Sequence, residues 1–235
     1  MSEYTREEIL KLIEENGGPE GLDLSGKDLS GIDLSGEAIV AELGKFRERA
    51  PDEEIPPWYS EETGGINLVH ANLQGAILAE ARLKEAVLAE AALKGTDLAE
   101  ADLAGADLDG ADLQEASLGL ADLQGAVLIG TNLQWAKLLF TNLQAVTLEG
   151  AHLKGADLLG ANLQGASLER ANLQKANLQS SHLEKVDFFA TESLEGAYFY
   201  NAFLDNTRMR RDQLGEKIGE ELDGRYVRRK RLTWP

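Results

Sequence analysis

Leucine recurs at every fifth position over the greater part of this chain of 235 residues. From Ile66 to Ala190 the sequence divides into 25 consecutive five-residue units without a gap, and the third residue is leucine in every unit from Leu68 to Leu183. The first residue of the unit is alanine in 18 of the 25, and in the other seven it is small or β-branched. Two positions in five are therefore fixed as apolar or small.

A period of five residues fits neither of the ordinary secondary-structure elements. On an α-helix at about 100° per residue, successive leucines would lie roughly 140° apart and would form no apolar stripe. On a flat strand, an odd period would send successive leucines to opposite faces. The pattern therefore predicts a chain that turns a corner in every unit and returns each leucine to one interior axis.

Individual units are closely similar in sequence, and typical ones read ANLQG at 71–75 and ADLAG at 101–105. They resemble the consensus A(D/N)LXX of the pentapeptide-repeat family, and the resemblance covers most of the chain. It implies an all-β solenoid, a right-handed quadrilateral β-helix with four pentapeptides in each coil. It also implies that the leucine and the small residue two positions before it point inward, while the other three positions face solvent.

The phase of the repeat predicts how the chain is divided. Four further units at 22–41 make one coil of 20 residues, and an inserted loop at 42–65 precedes the main repeat at 66–209. A one-residue slip in the phase occurs near Thr191. We count about eight coils, which would rise ~38 Å at an inter-strand spacing of ~4.8 Å.

Both ends of such a column would expose apolar core and unpaired edges, so we expect caps. Residues 1–18 predict an N-terminal capping helix that begins with a capping box at 5–8. The C-terminal segment 210–235 predicts a short helix at 212–222, followed by a basic tail at 225–231.

Glycine occupies the fifth position of many units, as at Gly75 and Gly105. Glycine is suited to a turn that requires positive φ. Where the fifth residue carries a side chain, as at Glu90, Arg170 and Lys175, we expect a turn without that requirement. The sequence therefore predicts two kinds of corner.

The composition of the chain limits the cellular compartment and the classes of binding partner that we expect. The chain carries 41 acidic and 23 basic residues, a net charge of −18, which disfavours nucleic acid and anionic membranes as partners. The absence of cysteine excludes disulfides, thiolate metal sites and a cysteine nucleophile. The sequence shows neither a signal-peptide pattern nor an apolar run of membrane-spanning length. We expect a cytoplasmic protein that binds no nucleic acid directly and no membrane.

Catalytic side chains are not brought together by the repeat. His70, His152 and His182 fall in different coils, so neither a metal site nor a proton relay is predicted. The sequence contains no nucleophile–base pair, phosphate-binding loop or metal cluster. We expect no enzyme, no cofactor, and a non-enzymatic protein that serves as a rigid binding or scaffold surface for an unknown protein partner.

Acidic residues concentrate between Lys94 and Lys137, an interval that holds no basic residue. The candidate electrostatic belt consists of the second-position aspartates Asp97, Asp102, Asp107, Asp112 and Asp122. The belt is either a solubilising surface or an electrostatic docking surface.

The family resemblance adds an alternative function, because pentapeptide-repeat proteins that give quinolone resistance resemble duplex DNA and bind gyrase. Segments 22–41 and 66–206 carry 23 acidic and nine basic residues. Over ~38 Å this is about one net charge per ~2.7 Å, against one per ~1.7 Å for duplex DNA. An acidic DNA mimic that binds gyrase or another topoisomerase is thus the alternative to the scaffold.

Large apolar side chains also stack at a spacing of 20 residues, at positions where solvent is expected. The candidate protein-binding residues are Leu120, Trp135, Leu139, Phe140 and Leu159, with Trp58 and Tyr59 of the inserted loop. Two alternatives stay open: a local segment covers this cluster, or Trp58 and Tyr59 clasp the flank of the column.

The C-terminal segment reverses the sign of the charge, because residues 207–235 carry nine basic and five acidic residues. It could pair with a neighbouring acidic column. C-terminal segments mediate dimers in several pentapeptide-repeat proteins, so the resemblance implies a possible homodimer through this segment.

Overall fold

The computed structural model describes residues 4–16, 22–32, 34 and 66–209. Its β-structure there consists of isolated parallel bridges that join the second residue of one unit to the second residue of the unit 20 positions later. Four such ladders run along the column, and we call them faces A to D. Their bridged residues include 87, 107 and 127 on face A, 92, 112 and 132 on face B, 97, 117 and 137 on face C, and 102, 122 and 142 on face D.

The core is a single apolar axis. Every third-position leucine from Leu68 to Leu183 is buried, as the sequence predicts, and Phe188 continues the axis after them. Polar first-position residues are accommodated because their hydroxyls find backbone acceptors. Thr131, for example, donates to the carbonyl oxygen of Leu108 at 2.8 Å.

Each coil is tied to the next by main-chain hydrogen bonds. The Leu103 N–H donates to the carbonyl oxygen of Asp122 at 2.7 Å, and the Asp122 N–H donates back to Ala101 at 2.9 Å. The corner is closed by the Ala106 N–H, which donates to the carbonyl oxygen of Leu103 at 3.0 Å. The repeat thus satisfies most of its backbone groups within and between coils.

The corners have one conformation for almost all residue types. Fifth-position residues have φ between 55° and 70° whether or not they are glycine. Glu90, Arg170 and Lys175 have φ of 56°, 57° and 60°, so the prediction of a second kind of corner was wrong. Positive φ at the third residue of the turn makes these type II turns. The 20-residue register requires the same path at each corner, and residues with a Cβ adopt it at a cost.

This strain predicts opposite effects for two matched substitutions. Gly125 (φ 68°) and Ala145 (φ 56°) occupy the same corner one coil apart, and a Cβ added to Gly125 would meet no atom within 4 Å. We expect Ala145→Gly to raise the free energy of unfolding by about 1 kcal/mol and Gly125→Ala to lower it by a similar amount. Urea denaturation with an unchanged m-value is the measurement. Identical midpoints for both variants would show that the corner is unstrained.

The N-terminal helix α1 spans Arg6–Asn16 and begins with the predicted capping box. The Thr5 N–H donates to Glu8 Oε2 at 2.7 Å, and the Glu8 N–H donates to Thr5 Oγ1 at 3.3 Å. The first of these bonds holds the pKa of the Glu8 carboxyl below its usual value. Ile9 is buried in the same apolar core as the coil leucines. No helix in residues 4–16, 22–32, 34 and 66–209 is long and apolar enough to cross a lipid bilayer.

The described residues of the first coil, 22–32 and 34, stack directly on the main repeat. Asp23 pairs with Asn67 and Asp28 pairs with Asn72, an offset that exceeds 20 residues by the length of segment 42–65. That segment, with Trp58 and Tyr59, lies outside the described residues. The predicted C-terminal helix and basic tail lie outside them as well, and the right-handed sense of the coil stays a prediction.

The phase slip near Thr191 is present in the structure as one extra residue. Bridges change from an offset of 20 to an offset of 21, as between Asn172 and Ser193. Glu192 is exposed between the buried Thr191 and the repeat that follows, so it is the residue that the corner extrudes. Ala190, just before it, lacks the positive φ of the other corners between residues 70 and 206.

Candidate functional site

Five large apolar residues lie along two neighbouring corners of the column, and we call them the apolar cluster. Its members are Leu120, Leu139, Phe140 and Leu159 at the corner between faces C and D, and Trp135 at the corner between faces B and C. The side chains of Leu120, Trp135 and Phe140 are 61%, 51% and 58% exposed. Leu139 and Leu159 are half-buried beside them. The predicted residues therefore share one accessible surface.

The two aromatic rings of the cluster rest on glycines of the next coil. A Cβ built on Gly155 would lie closer than 3.0 Å to the Trp135 ring, and a Cβ on Gly160 equally close to the Phe140 ring. Each ring is thus held against bare backbone, while about half of its surface stays exposed. Restricting rings in this way reduces the entropy lost when a partner binds. This packing was not predicted from the sequence. The pattern that indicates it is an aromatic residue at a fifth position with a glycine 20 positions later.

The charges around the cluster are mostly negative on its N-terminal side. By register, Glu100 lies one coil before Leu120 and Glu115 lies one coil before Trp135. Lys137, on face C between the two aromatic corners, provides a positive charge. A binding partner would therefore meet an apolar centre with carboxylates along one border.

The electrostatic belt is distributed around the whole girth of the column. Its aspartates occupy all four faces: Asp107 on face A, Asp112 on face B, Asp97 on face C, and Asp102 and Asp122 on face D. In each of them Oδ1 accepts the backbone N–H two residues later, at 3.0–3.2 Å. These aspartates therefore support the corners as well as carrying charge.

Asparagine makes the same corner contact without the charge. Asn142 Oδ1 accepts the backbone N–H of Gln144 at 3.2 Å, while its Nδ2 donates to Asp122 Oδ1 at 2.8 Å. Asn132 donates to Asp112 in the same way at 2.8 Å. This contact needs a side-chain acceptor oxygen but no negative charge, so an Asp→Asn exchange separates the two roles.

The three histidines lie apart, as the sequence predicts. His70 is at a corner, with Nδ1 3.3 Å from Glu90 Oε2, and His152 is on face B. His182 is on face D, where its ring stacks on Phe203 with centroids 4.5 Å apart. No group of three or more histidine or carboxylate side chains in the described part of the chain could hold a metal ion.

The sequence profile of the family described as pentapeptide repeats matches eight copies in residues 66–105, 106–138, 141–179 and 151–188. These ranges cover just over half of the chain. The chain belongs to the pentapeptide-repeat family. Among curated proteins, none matches this pentapeptide-repeat chain.

Several solved structures are similar to this family member. HetL, a pentapeptide-repeat protein involved in heterocyst differentiation regulation from the cyanobacterium Nostoc sp. strain PCC 7120, is 27% identical over 88% of this chain and 97% of its own, with a TM-score of 0.32. QnrB1, a plasmid-mediated fluoroquinolone resistance protein, is 18% identical over 85% and 86%, with a TM-score of 0.38. Rfr23 from the cyanobacterium Cyanothece 51142 is 24% identical over 84% and 95%, with a TM-score of 0.21. Membership of the family rests on the repeats themselves.

Proposed function

We propose that this pentapeptide-repeat protein is a non-enzymatic binding protein whose column presents the apolar cluster to a protein partner. The observation that carries the proposal is that Leu120, Trp135 and Phe140 are more than half exposed on neighbouring corners. Exposed apolar groups of this kind mark interaction sites, and tryptophan is enriched among the residues that dominate binding. The lack of cysteine is compatible with action in the reducing cytoplasm.

The cluster is better suited than the belt to supply affinity. Removing apolar surface from water contributes ~25 cal/mol per Å². Exposed charges are screened beyond a distance of ~8 Å at physiological ionic strength. The belt would then contribute orientation and association rate, and its effect would weaken with salt.

The double substitution Trp135→Ala with Phe140→Ala tests the proposal. We expect it to reduce capture of the partner from a lysate of the native host by about tenfold or more, because two anchor side chains are lost. The melting temperature should fall only slightly, because both rings lie outside the apolar axis, are about half exposed, and each rests on a glycine of the next coil. Ile129→Ala is the matched control, since Ile129 is also exposed in the same coil, but at the corner between faces A and B, outside the cluster.

Three results would contradict this assignment. Undiminished capture by the double variant would place the binding surface elsewhere. A large fall in its melting temperature would show that the rings are covered core. Reduced capture by Ile129→Ala to the same extent would mean that apolar exposure in general, and no particular corner, determines binding.

The alternative is an acidic DNA mimic that binds gyrase or another topoisomerase. It is favoured by the distribution of the belt over all four faces, which spreads negative charge around the girth of the column. A gyrase supercoiling assay separates the two functions: inhibition, or protection against a quinolone, would overturn the proposal above. In that event Asp97→Asn, Asp102→Asn and Asp107→Asn together should abolish the inhibition, because they preserve the corner contact and remove charge.

A further inference from the structure

The sequence after Met209, the last described residue, ends in a segment whose chemistry is opposite to that of the column. Residues 225–235 read RYVRRKRLTWP, with five basic residues, no acidic residue, and the apolar Leu232 and Trp234 at the end. On the column, the coils beside the apolar cluster contain no basic residue between Lys94 and Lys137.

We infer that residues 225–235 of the same chain bind to the apolar cluster and compete there with the protein partner. The inference rests on the proposed function of that cluster and adds its regulation. The tail would keep the rings covered until a partner with higher affinity, or at a higher concentration, displaces it.

The tail is long enough to reach the cluster. By register, Met209 lies about three and a half coils beyond Phe140, which is ~16 Å at a spacing of ~4.8 Å per coil. The 15 residues 210–224 would span ~22 Å even if all of them were helical. The basic residues can therefore arrive at Phe140 without separating the last coil from the column.

The cluster offers complementary groups to this segment. The exposed aromatic surfaces of Trp135 and Phe140 can each receive a guanidinium group within about 6 Å of the ring centroid. Glu100 lies one coil before Leu120 by register and provides a carboxylate for the same cations. Glu115, one coil before Trp135, would share its carboxylate between the tail and Lys94, whose Nζ lies 3.7 Å from Glu115 Oε1. Leu232 and Trp234 would pack on the leucines of the cluster and bury apolar surface that the basic residues of the tail leave uncovered.

The column already contains one arginine bound in this manner. The Arg208 Cζ atom lies 4.8 Å from the centroid of the Phe189 ring, and its Nη1 atom lies 3.2 Å from Asp187 Oδ2. An exposed ring at a corner and a second-position aspartate thus hold an arginine on the surface of this solenoid. The apolar cluster offers the same two groups, exposed aromatic rings and nearby carboxylates, in greater number.

Quenching of Trp135 fluorescence by acrylamide tests whether the tail covers the cluster. The full chain with Trp58→Phe and Trp234→Phe keeps Trp135 as its single tryptophan. We compare it with a second variant in which the five basic residues of 225–231 and Leu232 are also replaced by serine. The quenching constant of Trp135 should rise about twofold in the second variant, because the ring loses its cover.

A reporter at the corner between faces A and B, outside the apolar cluster, provides the control. With Trp135→Phe and Ile129→Trp added to both chains, the tail substitutions should leave the quenching constant unchanged. Both pairs must show the same melting curve by circular dichroism, so that altered quenching reports the tail and not unfolding. The serine variant should also capture several times more partner, because its competitor is gone.

The outcomes separate the inference from the proposed function. Equal quenching of Trp135 with either tail would overturn the inference, whatever the capture assay shows. Protection of Trp135 that disappears on dilution over about two orders of magnitude would also overturn it, because the occupant would then be the tail of a second copy. Undiminished capture by the Trp135→Ala and Phe140→Ala variant would overturn the proposed function, even if the tail covers the rings.

Discussion

Replacing Leu123 by aspartate is expected to unfold the central coils of the column. The Leu123 side chain is fully buried on the apolar axis, between coils that bind each other through its backbone N–H, 2.8 Å from the Asn142 carbonyl oxygen. Loss of a buried leucine side chain costs about 2–5 kcal/mol. A carboxylate left there without a partner adds a penalty of several kcal/mol. Together these approach the whole stability of a typical domain, which is about 5–15 kcal/mol.

The matched control places the same charge on the outside of the repeat. Thr147→Asp adds an aspartate at a second position, between Val127 and Ser167 on face A, where other units carry aspartate naturally. It should fold with a melting temperature close to that of the parent, as measured by circular dichroism. A soluble Leu123→Asp protein with unchanged melting would show that the leucines do not point inward.

The fold could be predicted in detail because one rule repeats. A leucine in every fifth position and a small residue two positions before it predict a corner in every unit around one interior axis. The four units per coil, and with them the 20-residue offset, were implied by the resemblance to the pentapeptide-repeat family, and the bridges have that offset. The same rule located the irregularities: loss of phase near Thr191 corresponds to the extruded Glu192. Long-range register was accessible because the local period fixes the phase of each unit and the family resemblance implied how many units make a coil.

Positive φ was predicted correctly at glycine corners such as Gly75 and Gly105, but not at the corners without glycine, where it opposes local preference. Residues such as Glu90 and Lys175 would by themselves favour negative φ, yet neighbouring coils impose the type II turn on them. The corner role of the aspartates was missed for a related reason. On face D, Asp102 and Asn142 make the same corner contact through a side-chain oxygen, whereas the sequence pattern indicated only the charge of the aspartate.

The sequence predicted which residues belong to the apolar cluster, but not how their side chains pack on the column. A spacing of 20 residues brings Leu120 and Phe140 to one corner, which the sequence states directly. The packing of Trp135 on Gly155 depends on the direction in which a fifth-position side chain leaves its corner. That direction follows from the positive φ of the corner, which the sequence did not reveal.

Replacing Phe188 by alanine is expected to loosen the C-terminal coils while leaving the central ones intact. Phe188 is the largest fully buried side chain of the described core, and its ring packs edge-on against Phe199 with centroids 5.9 Å apart. A phenylalanine-to-alanine change in a core costs about 3–5 kcal/mol. Because each coil contacts only its neighbours, the loss falls on the coils near the cavity. Hydrogen exchange should therefore accelerate in residues 186–209 well before it changes in residues 106–145.

The adjacent Phe189 provides a control of the same residue type on the opposite side of the backbone. It is 37% exposed, and Arg208 lies over its ring. Phe189→Ala should cost about 1 kcal/mol or less, the contribution of one exposed cation–π contact, because it opens no cavity. The Phe188→Leu variant should lie between the two, since leucine occupies the same position in the preceding units. Equal destabilisation by Phe188→Ala and Phe189→Ala would contradict this assignment. It would mean that Phe188 does not fill the apolar axis and that the repeat is already out of phase before Glu192.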